Sequence, residues 1–205
     1  MARILVVGGS AGIGLRTVEL GRARRLDMRP FSRHTEDPLG MRGDARSSEA
    51  IDAALDGVDA VVQTLGVPLD RHLLTGPITL FSHATEVLLE RMQARHIKRL
   101  VTVTGFGAGT SASHIHPLQR PVFNLVFGHA YRDKTLQESL IKNSRLAWTL
   151  VRPTVLTGGA LRRDYKVLYE STQWRNGWIS RDSVADYILR ALADDSTLYR
   201  EPVLA

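Results

Sequence analysis

The sequence predicts the α/β class, a doubly wound parallel sheet with helices on both faces. The apolar run over residues 4–7 is typical of a strand buried on both faces, and it leads directly into a glycine-rich turn and a helix over 13–24. Strand and helix patterns then alternate along most of the chain, as expected where helices connect parallel strands. Ligands of such sheets bind beyond the carboxyl ends of the strands.

The remaining elements follow from the same patterns. Further strands are predicted at 28–32, near Met41, and at 59–65, 99–104 and 147–151, with Pro153 ending the last. Further helices are predicted at 48–55, with Ser47 or Ser48 as N-cap, and at 77–96, 123–141 and 181–193. We expect residues 1–205 to form one domain, with the loops around 105–130 and 154–178 on the substrate side.

Composition narrows the classes of function. A chain of 205 residues with 43% hydrophobic content can bury one full core. The absence of cysteine excludes disulfides, thiol nucleophiles and cysteine-ligated metals. The net charge of +6 is spread over helix faces without a sustained basic block, so no nucleic-acid partner is expected. No apolar run reaches the length of a membrane span or of a signal-peptide core, which predicts a cytoplasmic protein without a membrane partner.

The turn after the first strand has the spacing G-x-x-x-G-x-G, with glycines at 8, 12 and 14. Gly8 can adopt a positive φ in the tight turn, Gly12 can let a diphosphate approach the backbone, and Gly14 can let the helix pack on the strand. Free N–H groups at the helix N-terminus would bind the anion. The predicted diphosphate contacts are therefore Gly8, Ser10, Ala11, Gly12 and Ile13. A tight turn without a ligand is the alternative.

The end of the second strand faces the adenosine ribose in such folds, and here it reads Ser32-Arg33-His34. A hydroxyl and a guanidinium suit the 2′-phosphate of NADP, whereas NAD would favour an acidic residue. We therefore predict NADP(H) bound by Ser32 and Arg33, with an ordinary surface arginine as the alternative. Asp44 is predicted to accept a hydrogen bond from the adenine amino group, or else to cap the following helix.

Several segments in a fixed order resemble a known family. They are residues 7–14, the Gly43-Asp44 pair, residues 59–66, 100–105, 134–153 and 179–186. Together they resemble an atypical, extended-type member of the short-chain dehydrogenase/reductase superfamily, in the NAD(P)H-binding group with flavin and biliverdin reductases and NmrA-like regulators. The resemblance implies a Rossmann-type fold. It places Leu65, Gly66 and Pro153 at the cofactor, with the backbone N–H of Val155 donating to the carboxamide.

The family's reductases combine a tyrosine proton donor, a lysine that holds the ribose and a serine that orients the carbonyl. The resemblance assigns Lys134 to the lysine, but Tyr131 lies three residues before it rather than four. Tyr131 is either the proton donor or an aromatic wall. Thr104 is the candidate for the serine, yet a one-residue offset in a strand turns a side chain to the opposite face.

These residues leave two interpretations. The first is an NADPH-dependent reductase of a flavin, quinone or small carbonyl; it acts as a monomer or homodimer, and Phe106, His114, His116, Phe123 and Phe127 could line the acceptor site. The second is an NADP(H)-binding redox sensor or assembly protein without turnover. A metal at His114 and His116 is not expected because no further ligands lie nearby, and no G-x-S-x-G elbow supports hydrolysis.

Overall fold

The computed structural model describes residues 2–67, 77–118 and 120–205. Within these ranges the strands are β1 (Arg3–Val7), β2 (Asp27–Ser32), β3 (Met41–Arg42), β4 (Ala60–Gln63), β5 (Arg99–Val103), β6 (Ala147–Pro153), β7 (Val155–Thr157), β8 (Val167–Leu168), β9 (Trp178–Ser180) and β10 (Val203–Leu204). The α-helices are α1 (Gly12–Ala23), α2 (Ser48–Ala54), α3 (Leu80–Ala94), α4 (Arg120–Lys142) and α5 (Arg181–Leu192). Short 3-10 helices cover Gly109–His114, Ser171–Gln173 and Asp195–Thr197.

Eight strands form one sheet in the order β3-β2-β1-β4-β5-β6-β10-β8. Its pairs are parallel, except that β10 and β8 are antiparallel. The predicted doubly wound α/β fold is thus confirmed. From β1 the chain builds outward through β2 and β3, and it then returns to build in the other direction from β4. The carboxyl ends of β1 and β4 therefore flank the point where strand order reverses, which is where open α/β sheets bind ligands.

The strands of the sheet are buried on both faces. Along β1, Leu5 and Val7 belong to one apolar cluster, and Ile4 and Val6 belong to another. Successive strand side chains point to opposite faces, so this alternation assigns one cluster to each face. The first cluster packs against α2, α3 and α4, and the second against α1 and α5. Helices therefore cover both faces, and the carboxyl edge is left open between them.

The long elements agree with the sequence within a few residues. Ser47 is the N-cap of α2, and its hydroxyl accepts from the Ala50 N–H, which decides between the two serines considered above. The sequence patterns missed β7 to β10. These strands are two or three residues long, too short to show a period, and their pairing partners lie far along the chain. No helix in the described part of the chain is long and apolar enough to cross a membrane.

Candidate functional site

The glycine turn between β1 and α1 is held by the end of β4. The Thr64 hydroxyl donates to the Val7 and Gly8 carbonyls at 3.1 and 3.3 Å. Gly8 has a φ of 89° and Gly12 a φ of 55°, both in the region that favours glycine. A Cβ on Gly14 would lie 2.1 Å from the Gly8 carbonyl oxygen, so only glycine fits where α1 crosses the turn. These contacts explain the spacing of all three glycines.

The N-terminus of α1 is available to an anion. Its N-cap, Ala11, has no side-chain oxygen to accept from the first turn, and that turn contains no acidic residue. The first N–H groups of a helix lack partners within the helix, so an uncapped end beside a cavity is a site for a phosphate. No described atom outside the turn lies within 4 Å of a Cβ built on Gly12, which leaves room for a ligand against the main chain.

A cavity of about 590 Å³ runs along the carboxyl edge of the sheet past this turn. Its wall includes residues that the sequence predicted for the adenosine end of a dinucleotide site and residues predicted for the nicotinamide end. Those on its wall are Gly8, Ser10, Ala11, Gly12, Ile13, Ser32, Arg33, Asp44, Leu65, Gly66, Thr104, Tyr131, Lys134 and Pro153. One continuous cavity thus joins positions more than a hundred residues apart in the chain.

At the end near β2 the lining is polar. Ser32, Arg33 and His34 follow one another there, and Arg33 is exposed and makes no ion pair with any residue the structure describes. The Asp44 carboxylate accepts from the backbone and guanidinium N–H groups of Arg46, which lower the pKa of Asp44 to about 2. Asp44 is therefore an ionised acceptor at the cavity wall and also closes a local turn.

At the other end, Lys134 is almost fully buried. Its Nζ donates to the Thr104 carbonyl oxygen at 2.8 Å and lies 4.4 Å from the centre of the Phe81 ring. Burial lowers the pKa of Lys134 to about 8, since a desolvated ammonium is disfavoured. The neighbouring Asp133 accepts from the Phe81 N–H at 2.7 Å and so caps α3. Lys134 thus faces the cavity without a hydrogen-bonded carboxylate.

The Thr104 hydroxyl donates to Oε1 of Glu138 at 2.7 Å. Glu138 in turn accepts two hydrogen bonds from the fully buried Arg152, at 2.9 and 2.6 Å. Arg152 also donates to Glu201 at 2.8 Å and stacks 5.0 Å from the Trp174 ring. A hydroxyl proton directed at a carboxylate is not free to polarise a substrate carbonyl, which is the role that the resemblance gives to a serine.

Tyr131 lies against the loop that follows β5. A Cβ on Gly105 would lie 2.6 Å from its hydroxyl oxygen, and its ring packs 4.6 Å from Phe123 and 6.1 Å from Phe127 between centroids. Burial raises the pKa of Tyr131 to about 12. Lys134, whose charge could lower that pKa, is bonded to Thr104 instead. In this arrangement the phenol ring packs against other aromatic rings, and its raised pKa makes the hydroxyl a weak acid.

The predicted role of the Val155 N–H is wrong. That N–H donates to the Gly177 carbonyl at 3.1 Å as β7 pairs with β9, and the side chain is 41% exposed outside the cavity. The pairing of β7 with β9, which the sequence did not predict, therefore occupies the Val155 N–H. Its neighbours Thr154 and Leu156 line the cavity in its place.

Arg181 is a cavity residue that sequence reasoning missed. It begins α5, lines the cavity and donates to the Thr157 carbonyl at 3.1 Å. A cation is disfavoured at the positive end of a helix unless an anion balances it. An arginine directly after the Ser180 cap was therefore the signal that could have identified it.

The predicted aromatic lining is only partly present. Phe127 lines the cavity, whereas Phe123 lies behind it and Phe106 packs in a separate cluster with Trp174. His114 also contacts Trp174, at 5.2 Å between ring centroids, and His116 accepts from the Leu118 N–H. Within the described ranges no three histidine, aspartate or glutamate side chains are grouped as a metal site would require.

The sheet order, the glycine turn and the cavity at the reversal of strand order define a Rossmann-type dinucleotide-binding protein. The chain belongs to the NAD(P)H-binding family, whose model matches residues 8–195. No curated protein matches it.

Solved structures share this fold. ChuY from Escherichia coli O157:H7, described as an anaerobilin reductase, superposes with a TM-score of 0.81 at 24% identity over 99% of this chain and 96% of that one. A short-chain dehydrogenase/reductase from Veillonella parvula in complex with NADP gives 0.80 at 14% identity over 100% and 94%. The oxidoreductase YlbE from Lactococcus lactis gives 0.81 at 14% identity over 98% and 90%. At these identities the likeness establishes the Rossmann-type fold alone.

Proposed function

We propose that the protein is an NADPH-dependent reductase that transfers a hydride to a small conjugated acceptor such as a flavin or a quinone. The observation that carries this proposal is the single cavity that extends from Arg33 past the glycine turn to Lys134 and Tyr131. Such a cavity holds a dinucleotide at the turn and leaves its far end for a second molecule. Hydride transfer requires mainly that two rings be held in contact, which a shaped cavity achieves.

The residues present fit NADPH. The uncapped N-terminus of α1 and Gly12 would hold the diphosphate, and Ser32 and Arg33 would hold the 2′-phosphate. Lys134 would bind the nicotinamide ribose, and Arg181 adds a second cation to the wall. The cofactor itself supplies the hydride. The complex of the Veillonella protein with NADP supports the choice of nucleotide.

The proton chemistry favours acceptors that need no strong acid from the protein. Tyr131 holds its proton tightly, and the Thr104 hydroxyl donates to Glu138. Flavins and quinones can take their proton from water after accepting hydride, whereas a simple carbonyl benefits from a protein donor. The description of ChuY as a reductase of anaerobilin, a tetrapyrrole, supports a conjugated acceptor.

The raised pKa of Tyr131 and the engagement of the Thr104 hydroxyl by Glu138 equally favour a second candidate, an NADP(H)-binding sensor without turnover. One assay separates the two. NADPH oxidation is followed optically with menadione, FMN, FAD and several aldehydes, and NADPH binding is measured by calorimetry. The reductase predicts turnover with quinones or flavins and little with aldehydes. Saturable NADPH binding without turnover of any acceptor would instead support the sensor.

The cofactor preference is tested with Arg33→Ala. Loss of a hydrogen-bonded charge pair costs about tenfold or more in affinity, so the dissociation constant for NADPH should rise by that factor while NADH binding is unchanged. Arg145→Ala is the matched control, because Arg145 is exposed at the opposite, amino edge of the sheet just before β6. Equal affinities for both nucleotides in wild type and variant would remove the 2′-phosphate assignment.

A further inference from the structure

Arg181 lines the main cavity at the start of α5, and no part of the dinucleotide has yet been assigned to it. We propose that the Arg181 guanidinium binds the diphosphate of the dinucleotide, so that this anion is held by an arginine as well as by the main chain at the α1 N-terminus. The inference rests on the proposed use of NADPH and adds a cofactor-binding residue to the same site.

The packing of the helices places Arg181 beside the start of α1. Both α1 and α5 pack on the second apolar cluster, whereas α4, which carries Lys134, covers the other face of the sheet. The Arg16 side chain on α1 donates to both carboxylate oxygens of Asp182 on α5, at 2.5 and 2.8 Å. Arg16 lies about one turn, roughly 6 Å, past the start of α1. The first turns of the two helices therefore lie side by side at the carboxyl edge of the sheet.

The Arg181 side chain is half-buried and is held from behind. Its Nη1 donates to the Thr157 carbonyl at 3.1 Å. Thr157 ends β7 and is paired in register with Ser180, the residue directly before Arg181, so the acceptor is fixed by the β7–β9 pair. One carbonyl engages one of the five N–H donors of a guanidinium, which leaves others for a ligand. A side chain that is already ordered loses less conformational entropy when it binds.

The charge of Arg181 has no anionic partner among the residues that the structure describes. Its acidic neighbour, Asp182, has both carboxylate oxygens engaged by Arg16. The acidic residue on the described part of the cavity wall is Asp44, which pairs with Arg46. A cation at the positive end of a helix is unfavourable unless an anion balances it. An anionic group of the ligand would supply that balance.

The cavity wall carries three cations in its described part, and they match three parts of NADPH. Arg33 suits the 2′-phosphate and Lys134 suits the nicotinamide ribose, which leaves Arg181, on the α1 side, for the diphosphate. A helix N-terminus supplies only about half an elementary charge, which does not neutralise a doubly negative diphosphate. A guanidinium adds a full charge and parallel N–H donors for two phosphate oxygens.

The test uses ligands that differ in the part of the dinucleotide they retain. NADP⁺ is compared with 2′-phospho-ADP-ribose, which lacks the nicotinamide, and with adenosine 2′-phosphate, which lacks the diphosphate as well. Calorimetry measures their binding to the wild type, Arg181→Gln and Arg181→Lys. Arg163→Gln is the matched control, because Arg163 is exposed and does not line the cavity. Urea denaturation establishes that each variant is folded.

We expect Arg181→Gln to lose about tenfold in affinity for NADP⁺ and for 2′-phospho-ADP-ribose, and to bind adenosine 2′-phosphate as the wild type does. Arg181→Lys should lose about threefold, because an ammonium keeps the charge without the planar fork. Arg163→Gln should bind all three ligands as the wild type does. If Arg181→Gln does not fold, the comparison of Arg181→Lys with Arg163→Gln decides.

Wild-type affinity for 2′-phospho-ADP-ribose in the Arg181 variants would overturn the inference. An equal loss for adenosine 2′-phosphate, or an equal loss in Arg163→Gln, would overturn it as well, and a loss confined to NADP⁺ would assign Arg181 to the nicotinamide instead. In each case quinone turnover by the wild type would leave the proposed reductase standing. Arg181-dependent binding without turnover of any acceptor would retain the diphosphate site and refute the reductase. Failure of the wild type to bind all three ligands would overturn both proposals.

Discussion

The two ends of the main cavity are constructed in different ways. At the diphosphate end the wall is main chain, where two glycines have positive φ and the α1 N-terminus carries no cap. At the hydride-transfer end the wall consists of buried side chains, with Lys134 over Phe81 and Thr104 bonded to Glu138. The first end offers backbone dipoles to a constant ligand, the dinucleotide. The second depends on a network of side chains that can vary with the acceptor.

Because the two ends are built differently, we expect substitutions at the diphosphate end to affect mainly ligand binding and substitutions of the buried ion pair to affect mainly folding stability. A main-chain site is specified by a few local conformations, so a change there can remove the ligand and leave the fold intact. The buried ion pair of Glu138 and Arg152 lies beneath the acceptor end, and removing one partner leaves a charge without compensation in a low-dielectric interior. Changes to this ion pair should therefore affect folding first. Five single variants and one double variant test this contrast.

The largest effect is expected from Arg152→Leu. The change leaves Glu138 buried without its cation and should lower the free energy of unfolding by about 3–5 kcal/mol. Urea denaturation measures it. The double variant Glu138→Leu with Arg152→Leu should lose distinctly less, because no charge remains unpaired. Equal losses in the single and double variants would show that packing rather than charge compensation explains the effect.

Two neighbouring glycines form a matched pair. Gly14→Ala places a Cβ against the Gly8 carbonyl oxygen and should cost about 3 kcal/mol in folding. Gly12→Ala meets no described atom and should cost about 1 kcal/mol through its positive φ, yet its methyl would occupy the proposed path of the diphosphate. We expect at least a tenfold loss of NADPH affinity in Gly12→Ala. Wild-type affinity in that variant would contradict a diphosphate site on this main chain.

Lys134→Met should stabilise the protein while weakening the cofactor. Burial lowers the pKa of Lys134 from 10.5 to about 8, so its charge costs the folded state about 3 kcal/mol below pH 8 and nothing above pH 10.5. The lost hydrogen bond to Thr104 offsets about 1 kcal/mol. The free energy of unfolding at pH 7 should therefore rise by roughly 2 kcal/mol, the charge-burial cost minus the lost hydrogen bond.

The titration of Lys134 also predicts that NADPH binding depends on pH. NADPH is anionic and favours protonated Lys134, so its affinity for the wild type should fall as the pH rises through about 8. In Lys134→Met the affinity should be lower and should lack this step. Titration of NADPH binding between pH 6 and 10, roughly two units either side of that pKa, measures both curves. An identical step in both proteins would assign the titration to another group.

Tyr131→Phe is expected to have the smallest effect. The Tyr131 hydroxyl donates to no residue that the structure describes, and its raised pKa makes it a poor acid. Quinone reduction should change by less than threefold, in contrast to the 10² to 10⁴-fold effect of losing a general acid. Steady-state kinetics across pH gives the comparison. A hundredfold fall in kcat would establish Tyr131 as the proton donor.

The sequence predicted the parts of this protein that depend on local conformation. The run of buried residues in β1, the three glycines and the alternation of helices and strands specified the sheet and the position of the turn, because each depends on neighbours within a few residues. The assignment to the NAD(P)H-binding family followed from the order of these segments and is confirmed.

Contacts between distant segments had to come from the tertiary structure. The pairing of β7 with β9 engages the Val155 N–H. The Thr104 hydroxyl, which the sequence made a candidate for the acceptor site, donates instead to Glu138, and Glu138 is held by Arg152. These partners are separated by 14 to 34 residues, and no sequence period links them. Side-chain burial and hydrogen-bond direction are set by the packing of the whole sheet and its helices, and they decide the chemistry of the acceptor end.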